Sequence, residues 1–316
     1  TSPQIYLSAN SAINRVINMF LIILWNRHFI IRYYYIFLFF VYIITVLGNS
    51  CLMFVIIMDR NLHTPKYIAV FNLSLTDISE STAVIPQLLD TFLFGNQLIP
   101  YGLCMSSMFS VLLFLAMQSL TLTILSFDRL VAISLPLRSM LVMIGASWII
   151  GLSIATAAII FLTRLSFCRV VVIVNSFYCD HGPISRSSCS DYFPSFVISV
   201  LYPVIILGLP GVFIVFTYTC IAVTLFRITT PQDRQRATKT CTAHLMLVAI
   251  FYVPITFTYA FWPFINTNTR IINLSLTSAL PPLLNPIIYT FMTEEKHNRK
   301  LLCFLDKLGC VSHTTT

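Results

Sequence analysis

The stretch LSFDRLVAI, Leu125 to Ile133, decides the fold of this chain. Asp128 and Arg129 stand there at the end of an apolar run that starts near residue 103. Such a run reaches the roughly 20 residues a helix needs to cross a bilayer. Charged side chains at that depth are costly in lipid, so the pair marks a water-facing interface or a working site. The same pattern repeats outward along the sequence. Apolar runs cover residues 34–58, 67–93, 103–127, 140–163, 194–226, 238–262 and 271–291. The hydrocarbon core offers no water to backbone N–H and C=O groups, so each run must be a helix.

Composition supports this reading. The chain is 57% apolar and only 9% charged, with a mean hydropathy of +0.86. Soluble domains carry about 25% charged residues, so no water-solvated surface can be built from this inventory. Lipid is the expected surroundings. In a soluble protein the net charge of +8 would hint at nucleic acid, but here its distribution between loops matters more, and no nucleic-acid partner is expected. The fifth run carries Pro203 and Pro210, which should bend it and not end it. Residues 16–25, VINMFLIILW, are too short to span and read as a membrane-surface segment or a targeting remnant.

Orientation follows from the basic residues in the loops. With the amino terminus outside, Arg15, Arg27, Arg32, Arg164, Arg169, Arg186 and Arg270 lie outside. The other side collects Arg60, Lys66, Arg129, Arg138, Arg227, Arg234, Arg236, Lys239, Lys296, Arg299, Lys300 and Lys307. The excess belongs on the cytoplasmic face, so the carboxyl terminus is expected inside. Of nine cysteines, Cys104, Cys168, Cys179 and Cys189 then fall in outward segments, where thiols oxidise. Four cysteines allow three pairings, and spacing does not choose among them. Cys51, Cys220, Cys241, Cys303 and Cys310 are expected to stay reduced. No CxxC pair, internal repeat or linker is present, so one domain with no metal site and no cofactor is expected.

Gly48-Asn49 lies in the first run, and LHTPKYIAVFNLSLTD (Leu62 to Asp77) leads into the second. SFDRLVAI is followed by Pro136-Leu137-Arg138, KTCTAHL (Lys239 to Leu245) opens the sixth, and PPLLNPIIY (Pro281 to Tyr289) ends the seventh. Together these blocks resemble a rhodopsin-like G-protein-coupled receptor, and specifically an odorant receptor of the fish type. The resemblance implies an all-α membrane protein: a seven-transmembrane helix bundle with a short amphipathic carboxyl-terminal helix. It divides the chain into an extracellular segment (1–33), the receptor domain (34–291) and a cytoplasmic tail (292–316). It also implies a multi-pass protein of the plasma membrane that binds a small-molecule odorant. The partner implied is a heterotrimeric G protein of the stimulatory olfactory type, which raises cyclic AMP.

Residue roles follow on the same footing. Asp77 is a carboxylate in mid-membrane and needs partners, for which Asn49, Asn285 and Ser74 are candidates. Asp128 can hold Arg129 while the receptor is off. A snorkelling arginine would account for the charge but not for the block around it. Asn285-Pro286 and Tyr289 make a bend with a polar side chain beside it. By resemblance Tyr218 and Tyr289 meet near Arg129 in an active state, while Arg138, Arg236 and Lys239 line the inner surface with Arg129. His244 reads as a polar contact at the inner end of the sixth helix. The resemblance pairs Cys104 with Cys179 and Cys168 with Cys189. Counting outward from these anchors, the pocket is expected at Met108, Val111, Leu112 and Leu115, then Tyr202 and Ile206, then Tyr252, Ile255 and Tyr259, with Ser278. That lining suits a small, weakly polar ligand.

Two features depart from the family. Arg138 lies only ten residues before Trp148, so the second inner loop is short and coupling is at issue. The amino-terminal region lacks an Asn-X-Ser/Thr sequon, and Asn273-Leu274-Ser275 sits at the start of a span, where it is a poor acceptor. A receptor-like chain that does not signal is therefore one alternative. Another is a membrane carrier or enzyme using Asp77, Glu80 and His244, though neither a neighbouring acid–base pair nor repeated halves are visible.

Overall fold

A computed structural model describes residues 18–21, 28–93, 98–131, 136–167, 171–174, 178–227, 231–261, 264–265 and 267–292. Seven long helices build it. The first four are His28–Met58, Pro65–Leu93, Tyr101–Leu130 and Leu137–Thr163. The fifth is composite: Phe193–Pro203, a π-helical turn at Val204–Gly208, then Leu209–Arg227. Pro231–Ala260 and Thr267–Met292 complete the bundle. Six of the seven are long and apolar enough to cross a membrane. The seventh, diluted by Pro281, Pro282 and Pro286, is long enough and packs along the first, second and sixth.

Burial ranks the helices. Two-thirds of the third helix's central window is enclosed (67%), against 28% for the fourth and fifth. The third is therefore the axis, and it contributes to each of the four apolar clusters through Leu115, Met108, Val111 and Met117. Large apolar residues such as Phe40, Ile149, Val212 and Val215 point outward, as lipid permits and water would not. The fourth helix approaches the third through Gly151, where a Cβ would stand 3.2 Å from the Leu113 side chain. Only a residue without a side chain fits there without movement.

Between Pro203 and Pro210 the fifth helix passes through a π turn. The Leu209 N–H reaches back five residues to the Val204 carbonyl, which widens the helix locally. The sixth helix starts at Pro231, earlier than hydropathy alone suggests, because its first turns are polar and leave no apolar signal. Proline suits that first position, where its missing N–H is not needed. Only residues 131–136 connect the third and fourth helices, so the connection read as the second inner loop is short. The amphipathic helix expected from Thr293 onward lies outside the described residues.

Part of the segment read as a surface stretch or targeting remnant is a strand. β1 (Asn18–Leu21) is the middle strand of a three-stranded sheet. It runs antiparallel to β2 (Leu98–Pro100) and parallel to β3 (Val171–Val174). The pairing joins segments far apart in sequence, which is why apolar content alone did not reveal it.

Candidate ligand cavity and signalling face

Cys104, at the start of the third helix, is bonded to Cys179 in the loop after the fourth. Both are fully buried in a cluster with Met105, Met108, Leu162 and Ile184. Cys189 is also disulfide-bonded; Cys168, its expected partner, lies outside the described residues. The first bridge draws the loop across the bundle and closes a cavity of about 170 Å³. An apolar cavity of about 150 Å³ holds a benzene molecule, so this one has the size for a small organic compound.

Six of the ten residues expected around the pocket line this cavity: Met108, Val111, Leu112, Leu115, Tyr202 and Tyr259. The Tyr202 hydroxyl donates to the Leu112 carbonyl (2.6 Å), joining the fifth helix to the third at the cavity wall. The other four are placed elsewhere. Ile206 is on the π turn with its side chain in the core, and Ile255 packs in the same cluster. The Tyr252 hydroxyl turns to Ser119 (2.8 Å), and Ser278 stands beside Glu80. Counting along a helix does not anticipate the extra rotation of a π turn.

The ten residues expected around the pocket do not include its roof. Tyr178, Asp180, His181, Gly182 and Arg186 of the loop, and Phe196, Ser199 and Val200 of the fifth helix, also line the cavity. A loop has no periodicity to reveal which side chains turn inward. The one signal was Cys179, since residues next to a buried bridge are held over whatever it covers. His181 Nε2 is 3.2 Å from the Ser195 hydroxyl, and burial pushes its imidazole down to about 4, so it is neutral at physiological pH. Burial raises Asp180 above the usual carboxylate range, while Arg270, and less strongly Arg186, offset part of that rise.

Beneath the cavity, two prolines organise the polar contacts. Pro210 has no N–H to donate to the carbonyl of Ile206, four residues earlier. The Ser119 hydroxyl takes that place and also bonds Tyr252, tying third, fifth and sixth helices together. Pro286 likewise strands the carbonyl of Pro282, and Asn49 Nδ2 donates to it at 2.9 Å from the first helix. Neighbouring helices thus satisfy backbone groups that lipid cannot. Asn49 therefore serves this carbonyl and that of Thr45, and not Asp77 directly.

Asp77 is fully buried and accepts from Asn285 (2.7 Å) and from Gln118 (3.0 Å). Gln118 was not foreseen, because nothing in the third run distinguishes it until the second helix packs beside it. Glu80, one turn on, has Oε2 without a hydrogen-bond partner among the described residues. Removing the Asn49 amide should cost about 1–2 kcal/mol, the upper range for an interhelical bond in lipid. Asn49→Ala is expected to lower the thermal midpoint of the detergent-solubilised protein. An unchanged midpoint would show that the Pro282 carbonyl finds another donor.

At the opposite end, Arg129 lies within electrostatic reach of Tyr218, Cys241, His244 and Tyr289. The Tyr218 hydroxyl meets His244 Nδ1 at 2.5 Å, and the two rings stack. The clasp expected between Asp128 and Arg129 is not formed among the described residues; Asp128 Oδ1 and Arg129 Nε each lack a hydrogen-bond partner there. Neighbouring helical residues diverge by about 100°, which sends the two side chains to different sides. Arg138 is exposed in the first turn of the fourth helix. Arg236 and Lys239 fall in the first turns of the sixth helix, and their side chains lie outside the described residues.

The comparisons agree with this geometry. Residues 38–307 match the family profile described as Olfactory receptor. Human Olfactory receptor 1A1 is 34% identical over 287 residues, covering 87% of this chain and 90% of that one. Human Olfactory receptor 10A5 is 31% identical over 269 residues, covering 82% and 84%. The crystal structure of squid rhodopsin superposes with a TM-score of 0.67 at 16% identity, over 88% of this chain and 81% of that one, which shows the fold. By these matches the chain, a multi-pass membrane bundle with a roofed cavity at one end and a cluster around Arg129 at the other, belongs to the olfactory receptor family, whose members are receptors and not enzymes.

Proposed function

We propose that this chain is an odorant receptor of the plasma membrane, with its amino terminus outside and its carboxyl terminus in the cytoplasm. A small, weakly polar ligand occupies the cavity and favours a state in which the sixth helix moves outward. The inner surface around Arg129, Arg138, Arg236 and Lys239 then engages a heterotrimeric G protein of the stimulatory olfactory type, raising cyclic AMP. One observation carries this reading. Leu112 and Leu115 line the cavity, and Ser119, one turn further along the same helix, bonds both the fifth and the sixth helix. A ligand pressing on that wall acts on the contact that holds the sixth helix in place. A ligand that binds the open state tenfold better contributes about 1.4 kcal/mol to the shift.

The test is cyclic AMP in cells expressing the chain with that G protein, exposed to small odorants. Leu112→Trp fills the cavity and should abolish the evoked response while surface staining persists. An evoked response that survives in the variant would place the ligand elsewhere. The short connection over residues 131–136 favours a second reading, a receptor that binds ligand without coupling. Saturable odorant binding with no change in cyclic AMP would select it.

A further inference from the structure

The cavity has two chemically different ends. Its apolar wall is built by the third helix: Met108, Val111 and Leu115, all buried, with half-buried Leu112. Its mouth carries charge, with Asp180 and Arg186 in the lining and Arg270 of the seventh helix beside Asp180. Arg270 acts on Asp180 more strongly than Arg186 does. His181, the remaining titratable group of the roof apart from tyrosine, is a neutral imidazole at physiological pH. Glu80 lies deeper, beside Ser278 and Gln118, and does not line the cavity. With Asp180 ionised the mouth holds one net positive charge; with it protonated, two. A ligand cation is repelled in either state and a ligand anion is attracted.

We propose that the mouth is an anion site, and that the ligands are small amphiphiles carrying one carboxylate. The carboxylate meets Arg186 and the hydrocarbon chain lies along Val111, Leu112 and Leu115. This rests on the odorant reading for placing the ligand in this cavity, and replaces its weakly polar ligand by an anionic amphiphile. Arginine fits the role because a guanidinium offers five N–H donors in a planar fork. It can take a ligand carboxylate in two parallel bonds in addition to the contacts it already makes. Arg186 is itself exposed, so the ligand's charge need not be stripped of all its water. Six carbons in all match the cavity, five along the apolar wall and the carboxyl carbon at the mouth, since a cavity of about 150 Å³ holds the six carbons of benzene.

The experiment uses the full chain purified in lipid nanodiscs and tritiated hexanoic acid at neutral pH, with hexan-1-ol, hexanal and hexylamine as competitors. Saturable hexanoate binding is expected, with the alcohol and amine competing at least about tenfold more weakly. Arg186→Gln should weaken hexanoate by about tenfold to a hundredfold, the range for a charge-assisted hydrogen bond. Arg186→Lys should recover part of that loss, since it keeps the charge without the fork. Raising the salt concentration should weaken hexanoate and leave hexanol unchanged. No saturable binding, an alcohol or amine that competes as well as the acid, or an Arg186→Gln protein with unaltered affinity overturns the proposal. The receptor reading is followed separately, by basal cyclic AMP compared between the unmodified chain and Arg129→Ala. An intact difference there, with hexanoate binding absent, sinks the ligand class alone.

Discussion

Cys104→Ser is expected to remove this receptor from the cell surface. The bond to Cys179 closes a loop with a sequence separation of 75 residues. Loss of such a bridge costs about 2–5 kcal/mol. Whole domains are stable by only about 5–15 kcal/mol, so the variant has little margin before quality control removes it. Geometry adds to the loss. The half-cystines are packed among Met105, Met108, Leu162 and Ile184, and the loop they anchor supplies Asp180, His181 and Arg186 to the cavity. Flow cytometry on an epitope-tagged chain, with total protein measured by blot, reads the effect. Cys104→Ser/Cys179→Ser should be no worse than either single change, because one bond is lost in each. Full surface expression with a normal ligand response in Cys104→Ser would rule out this role for the bridge.

Arg129→Ala is expected to bring ligand-evoked cyclic AMP to background at unchanged surface level. The guanidinium is half-buried among Tyr218, Cys241, His244 and Tyr289, and Asp128 does not hold it. It is therefore available to make charge-assisted hydrogen bonds to a partner, each worth about 1.5–3 kcal/mol. Losing them lowers coupling about tenfold to a hundredfold at a given ligand concentration. Arg129→Lys should recover part of the signal, since a point charge replaces a planar fork. Cyclic AMP measured at matched surface expression decides the matter. An evoked signal in Arg129→Ala equal to the unmodified chain would mean that coupling runs through other residues, with Arg138, Arg236 and Lys239 the next to change.

Much of the architecture was legible in the chain itself. The seven apolar runs were visible because lipid imposes both a length and a helical backbone on whatever crosses it. Periodicity along the third helix was enough to bring Met108, Val111, Leu112 and Leu115 to one wall, since a regular helix keeps residues three and four apart on one face. The same counting misplaced Ile206, because Pro203 and Pro210 are answered by a π turn that shifts the register. The partners of Asp77 were half legible. Asn285 lies in a recognisable block, whereas Gln118 becomes significant only when the second and third helices pack side by side.

What the sequence by itself determined is the membrane environment, the number and type of the spans, and the polar residues that lipid makes costly to leave unpartnered. These follow from hydropathy and from backbone hydrogen bonding, which are properties of short stretches of chain. The tertiary structure alone decided which partners those polar residues have, which loop roofs the cavity, and that β1 joins β2 and β3. Asn49 meets the Pro282 carbonyl and Ser119 that of Ile206 only because separate helices bring a donor to a group that a proline has stranded. Contacts of that kind depend on the distance between helices, and no local pattern in the chain encodes it.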